Sequence, residues 1–208
     1  MHEHKFVSFI GLTGCGKTTA ADILKQDFDF RDVPEEFANN PFLADFYHDM
    51  KRWAFHSQLF FLLRKIEQME MINTLLHLSH VVQDFPIYQD IIYANVHRTL
   101  NNLSTGEWDL YQSVLQLVEH KIVVPDLLVF LNVSPKITRQ RIAQRGRKAE
   151  RSISLDYLTT LYQAILSWLT TSATMPVLEI NGERLNLATN QDDIALFKEM
   201  ISDKLRLT

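Results

Sequence analysis

The sequence predicts one α/β domain in which a parallel five-stranded sheet is flanked by helices. Two observations carry that reading. Strand-like and helix-like segments alternate along the chain, the pattern of parallel strands joined by crossover helices. The first strand and first helix are joined by a glycine-rich loop, Gly11-Leu12-Thr13-Gly14-Cys15-Gly16-Lys17-Thr18. A chain of 208 residues is long enough for one substantial core and short for a second module.

The elements follow in order. Lys5–Ile10 is an apolar run fit for a buried strand, and the segment after the loop, 17–26, reads as a helix. A second strand is expected at 29–33. A long helix is expected at 50–76, where Trp53, Phe55, Leu59, Phe60, Leu62, Leu63 and Ile66 make much of the circumference apolar and predict burial against the sheet. A third strand at 80–84 leads past Pro86 into a helix at 88–99. Leu103-Ser104-Thr105-Gly106-Glu107 faintly resembles a transporter-ATPase signature, but it reads as a helix start capped by Ser104 or Thr105 with Glu107 in the first turn. That helix is placed at 107–120. Strands at 126–133 and 176–181 and helices at 135–145, 154–171 and 191–205 complete the pattern, the last three helices having clear apolar periodicity. Pro41, Pro86, Pro125, Pro135 and Pro176 fall at element edges, where a missing N–H is tolerated. No internal repeat, low-complexity tract or linker interrupts the series.

The loop is a complete G-x-x-x-x-G-K-[ST] motif, and it sits where the motif requires, after a strand and before a helix. Glycines let successive N–H groups turn inward on phosphate oxygens, and the following helix adds its positive end. Lys17 supplies a point charge for the β- and γ-phosphates, and the Thr18 hydroxyl suits Mg²⁺. The motif predicts binding of a nucleoside triphosphate along Gly11–Thr19. Cys15 is the only cysteine, which excludes an intrachain disulfide. Its thiol is either a point at which oxidation blocks the loop or simply a small residue in a tolerant position.

Composition narrows the class. A net charge of −4 and a pI near 6.0 argue against a general nucleic-acid binder. No apolar run approaches membrane-spanning length and the N-terminus leaves no space for a signal peptide, so a cytoplasmic protein is expected. Neither an Asn-Lys-x-Asp nor an Asp-x-x-Gly motif is present, which makes a GTPase a poor fit. Arg139, Arg141, Arg145, Arg147, Lys148 and Arg151 crowd one short stretch, and arginine forks suit the charge of a transferring phosphoryl group.

Further segments resemble the deoxynucleoside kinase family over nearly the whole chain. Val33-Pro34-Glu35-Glu36-Phe37 with Asn40-Pro41-Phe42-Leu43, then Phe46-Tyr47-His48-Asp49 and Arg52-Trp53-Ala54-Phe55-His56-Ser57-Gln58, are similar to family segments in the family's order. Arg141–Glu150 resembles its lid, placed at about 141–151, and Asp156-Tyr157-Leu158 with Leu161 and Trp168 continues the pattern. The resemblance implies a P-loop kinase fold, ATP and Mg²⁺ as cofactors, and transfer of the γ-phosphate to the 5'-hydroxyl of a (deoxy)nucleoside, a purine or modified nucleoside being the acceptor considered first. It implies Glu35 as proton acceptor, Lys17 with Arg141, Arg145 and Arg147 as catalytic cations, and Thr18 and Asp84 as metal ligands. Gln58 and Asp90 would read the base, and Tyr47 and Glu150 would hold the sugar 3'-hydroxyl. A homodimer formed through long helices such as 50–76 is also implied.

The chain departs from the family at Asp84-Phe85-Pro86, where relatives carry an acidic residue followed by Arg-Ser. Phe85 removes a cation from beside the attacking hydroxyl, and Lys65 stands where relatives have an arginine. Three expectations follow: a nucleoside kinase with Arg52 or Lys65 compensating; the same fold acting on a different small hydroxylated acceptor or a nucleoside monophosphate; or a nucleotide-binding regulatory protein. The first is preferred, because a binding module needs no proton acceptor opposite its phosphate loop.

Overall fold

A computed structural model of the chain describes residues 3–34, 39–147, 150 and 152–207. Five parallel strands, β1 (Phe6–Ile10), β2 (Arg31–Val33), β3 (Val81–Gln83), β4 (Leu127–Asn132) and β5 (Val177–Asn181), form one sheet in the order β2-β3-β1-β4-β5. Every residue of β1 is buried, as expected of a central strand covered on both faces. β5 lies at an edge and alternates buried Leu178 and Ile180 with exposed neighbours.

The helices are α1 (Lys17–Asp27), α2 (Leu43–His48), α3 (Met50–Leu75), α4 (Ile87–Thr99), α5 (Thr105–Val118), α6 (Pro135–Arg145), α7 (Leu155–Thr171) and α8 (Gln191–Leu205). The two-residue side-chain period of β1 divides the core. Val7 and Phe9 pack with Val129, Leu131, Phe197 and Ile201 toward α1 and α8. On the opposite face Ile10 joins Leu128, Phe130, Ile92, Leu161 and Ile165 toward α4 and α7, and Phe6 joins Leu62, Met69 and Ile72 toward α3.

Strand order reverses at β1, which has β3 on one side and β4 on the other. Such a switch point opens a crevice beyond the strand ends. The glycine loop, the chain leaving β2 toward Glu35, and Asp84-Phe85 after β3 all emerge at those ends.

Three local outcomes differ from expectation. The helix expected at 107–120 starts at Thr105, because Ser104 and Glu107 form a reciprocal capping box, and it ends at Val118 before a 3₁₀ turn over Glu119–Lys121. Helix α2 is too short to show a period. It is set by Asn40, whose Oδ1 accepts from the Phe42 N–H at 2.9 Å while its Nδ2 donates to the Ser57 hydroxyl at 3.0 Å. On α3 half of the buried face is polar: Ser57, Gln58, Lys65 and Gln68 go in with Ala54, Leu62, Met69 and Ile72, while Leu63 is half-exposed. The apolar circumference expected to face the sheet is therefore only partly used.

Candidate active site

The phosphate loop has the backbone the motif requires. Gly11 (φ 151°) leaves no room for a side chain, since a Cβ there would stand 2.8 Å from both Cys15 Sγ and the Leu131 carbonyl. Gly16 (φ 109°) is the left-handed residue from which α1 starts. Lys17 is buried, and its Nζ donates to the Gly11 and Leu12 carbonyls at 2.9 and 3.1 Å. Leu12 and Cys15 turn their side chains into the core, so only their backbone can face a phosphate. Burial pushes the Cys15 thiol above its usual range, which favours the small-residue reading over an oxidisable one.

A cleft of about 1060 Å³ lies over this loop. Thr13, Gly14, Gly16, Lys17, Thr18 and Thr19 floor it, Asp84 and Phe85 stand on one side, and Arg141, Arg145, Arg147 and Glu150 on the other. The Thr18 hydroxyl donates to Asp84 Oδ2 at 2.5 Å, and Asp84 Oδ1 is buried with no hydrogen-bond partner among the described residues. A hydroxyl and a carboxylate with an oxygen to spare form a hard-oxygen pair, the donor set that suits Mg²⁺ shared with phosphate oxygens.

The lid arginines divide their work. Arg141 donates to the Cys15 carbonyl at 3.2 Å and the Gly182 carbonyl at 2.8 Å, bracing the phosphate loop against the chain that follows β5. Arg145 and Arg147 (3.6 Å) instead pair with Glu150, only 1% exposed. Arg139 does not line the cleft, and Lys148 and Arg151 lie outside the described residues.

Next to the cleft, sharing Thr13 and Phe85 with it, is a narrower cavity of about 580 Å³. Its walls are aromatic and aliphatic, from Phe46, Tyr47, Phe61, Phe85, Tyr93, Tyr157, Leu158 and Leu161, with Gln58 and Asp90 as its amide and carboxylate. Gln58 is 3% exposed, and its Oε1 has no hydrogen-bond partner among the described residues. A buried amide oxygen in this state is costly unless a ligand satisfies it. Tyr47 is half-buried near Glu150, and desolvation of its hydroxyl together with that carboxylate pushes its phenol well above the usual range.

Of the residues singled out in the sequence, Tyr47, Gln58, Phe85 and Asp90 thus converge on one cavity, and Lys17, Thr18, Asp84, Arg141, Arg145, Arg147 and Glu150 on the other. Glu35 lies outside the described residues. Lys65 lines neither cavity. It is 1% exposed, donates to Gln68 Oε1 at 3.1 Å, and sets its ammonium 5.2 Å from the centre of the Phe85 ring. Lys17 Nζ is 5.5 Å from the same ring, so Phe85 serves two cations. Arg52 is exposed and lies over Trp53, away from both cavities.

Sequence reasoning missed Tyr93, Tyr157 and Gln89. Tyr93 stands three residues after Asp90 on α4, a spacing that shares a helix face. Gln89 has no such signal: its Oε1 accepts from Gly11 N–H at 3.2 Å, and its Nε2 donates to the Gly11 carbonyl at 2.7 Å and the Tyr93 hydroxyl at 2.9 Å. The Tyr157 hydroxyl lies 2.8 Å from Nε2 of the fully buried His97, whose Nδ1 faces the Asn102 amide at 3.1 Å.

That histidine gives the site a pH dependence. Burial pushes His97 down to about 4, so the folded protein holds it neutral where an unfolded chain protonates it near 6.5. Its contribution is fully present above pH 6.5 and is lost as pH falls toward 4. Urea unfolding at pH 7 and pH 5 should show a loss of about 2 kcal/mol from this group alone. His97→Gln should remove that part of the acid slope, and an unchanged slope in the variant would refute the assignment.

Known proteins place these features. Residues 7–205 match the deoxynucleoside kinase family. A deoxyadenosine kinase of Dictyostelium discoideum is 33% identical over 86% of this chain and 73% of its own length. A deoxyadenosine/deoxycytidine kinase of Bacillus subtilis is 28% identical over 96% of this chain and 93% of its own, and a deoxyguanosine kinase of the same organism 29% identical over 97% and 100%. Among solved structures, deoxyadenosine kinase from M. mycoides with bound dATP superposes with a TM-score of 0.83 at 22% identity, covering 96% of this chain and all of that one, a likeness of fold. With a family match spanning nearly its whole length, the chain belongs to the deoxynucleoside kinase family and is a nucleoside kinase.

Proposed function

We propose that the protein transfers the γ-phosphate of ATP to the 5'-hydroxyl of a deoxynucleoside within a single domain, with purines the preferred class. The observation that carries this reading is the junction of the two cavities at Thr13 and Phe85: a triphosphate cleft opens onto an aromatic-walled pocket holding an unsatisfied buried amide. Thr18 and Asp84 would hold Mg²⁺, which supplies charge neutralisation across the phosphates. The loop N–H groups and Lys17 orient the donor, Gln58 and Asp90 orient the base, and Glu35 takes the hydroxyl proton. Arg145 and Arg147 stand where the transferring charge develops. The names of the curated relatives support a purine acceptor. The homodimer that the family resemblance implies, and a cytoplasmic location, belong to the same proposal.

A nucleoside monophosphate acceptor fits less well. Among the described residues lining the acceptor cavity there is one carboxylate, Asp90, and no lysine or arginine, so an acceptor phosphate would enter without a countercharge. The test is a mass-spectrometric screen for phosphorylated product using ATP, Mg²⁺, the common nucleosides and their monophosphates. A monophosphate product from at least one deoxynucleoside is expected. ATP binding without product across the panel would identify a regulatory protein instead, and product from monophosphates alone a different kinase.

A further inference from the structure

Beneath the site runs a buried polar seam that none of the roles above uses. Its centre is Gln68 on α3, 7% exposed and, like Leu62, Met69 and Ile72, one of the buried residues of that helix. Its Nε2 donates to the Pro34 carbonyl at 2.8 Å. Its Oε1 accepts from Lys65 Nζ at 3.1 Å and from Gln83 Nε2 at 2.9 Å. The seam continues to β1, where the Ser8 hydroxyl donates between the carbonyl and Oε1 of Gln83, at 3.3 and 3.4 Å.

The three partners of this one amide are informative. Pro34 immediately precedes Glu35, Gln83 immediately precedes Asp84, and Lys65 is the ammonium against Phe85. A single side chain therefore ties the end of β2, the end of β3 and the cationic point of α3 into one unit. Its hydrogen bonds to all three partners are what an apolar side chain of the same volume could not supply. Phosphoryl transfer depends on positioning and fixed charges, and small displacements of the reacting groups lower the rate steeply.

We propose that Gln68 is a positioning residue for phosphoryl transfer, fixing the chain at Pro34, the Lys65 ammonium and the end of β3 relative to one another. The proposal rests on the nucleoside kinase reading. The test compares the whole protein with Gln68→Met, which keeps the side-chain length and removes both polar functions. Turnover with the best nucleoside should fall about tenfold while KM for ATP changes less than about twofold. Gln68→Glu is the second variant. It keeps an acceptor oxygen for Lys65 and Gln83 but sets a carboxylate oxygen, in place of the donor, against the Pro34 carbonyl, and adds a negative charge beside Lys65; a fall of at least about fivefold is expected.

Turnover within about twofold of wild type in either folded variant, or a Gln68→Met change that raises KM for ATP as much as it lowers turnover, would overturn the positioning role. Absence of product from the wild-type protein would instead remove the kinase reading on which the role depends.

Discussion

Glu35→Gln should lower turnover at least about a hundredfold while leaving ATP affinity within about twofold. A primary alcohol is a poor nucleophile until its proton leaves, and a carboxylate can take that proton as the oxygen reaches phosphorus. An amide of the same shape cannot. General bases contribute roughly 10²–10⁴ to rate, equivalent to about 3–5 kcal/mol of barrier. The expected site of this group follows from the strand order. Strand β2 ends at Val33 beside β3, on the side of β1 opposite β4, at the same strand ends from which the phosphate loop leaves. The Pro34 carbonyl just before it is held by Gln68. The proposed ATP contacts, from the loop, Lys17 and the lid, do not include Glu35, so donor binding should survive the change. Steady-state kinetics with the best nucleoside, alongside calorimetric ATP binding, separates the two effects; equal turnover in the two proteins would take Glu35 out of the reaction.

How much of this was legible depends on whether a residue's partners are near it in sequence. The phosphate loop, the five strands and seven of the helices could be read because each is a local pattern: a glycine spacing, an apolar run, or a 3.6-residue period. Ser104 and Glu107 show the same rule at finer scale, since a capping box is complete within four residues. The buried face of α3 was illegible for the opposite reason. Gln58 stands out only through the family resemblance; Lys65 and Gln68 look like solvated residues in a linear pattern, and Gln68 meets Pro34 and Gln83, far away in sequence, at the two ends of its amide. Arg141 belongs with them: its composition suggests a phosphate ligand, while the carbonyls of Cys15 and Gly182 make it a brace. Tyr93 and Gln89 needed the fold to bring α4 under the phosphate loop before either had a partner there.

The second large effect concerns Phe85, where restoring the family's arginine should be harmful by itself. The Phe85 ring accepts Lys17 and Lys65 at 5.5 and 5.2 Å from its centre, so it draws together two ammoniums that would otherwise face one another in a poorly solvated space. A guanidinium at this point meets two like charges. At about 5 Å and an effective dielectric constant near 20, each such pair costs about 3 kcal/mol before the side chains relax. With side-chain relaxation recovering about half of the two-pair sum, Phe85→Arg should lower the melting temperature by roughly 6–12 °C, the shift expected for about 3 kcal/mol in a domain of this size. Mg·ATP should recover part of that loss by adding negative charge beside Lys17. Phe85→Arg combined with Lys65→Met leaves Lys17 as the one like charge among the two lysines, so relative to Lys65→Met it should lose about half of what Phe85→Arg loses relative to the wild type. If Phe85→Arg melts with the wild type, the two lysines are not coupled through position 85. If the double variant is stable yet phosphorylates the same acceptors at the same rates as Lys65→Met, the ring at position 85 does not tune the acceptor site. An aromatic at 85 and a lysine at 65 form one solution to a crowded cationic corner, and changing either residue alone leaves the other without its reason.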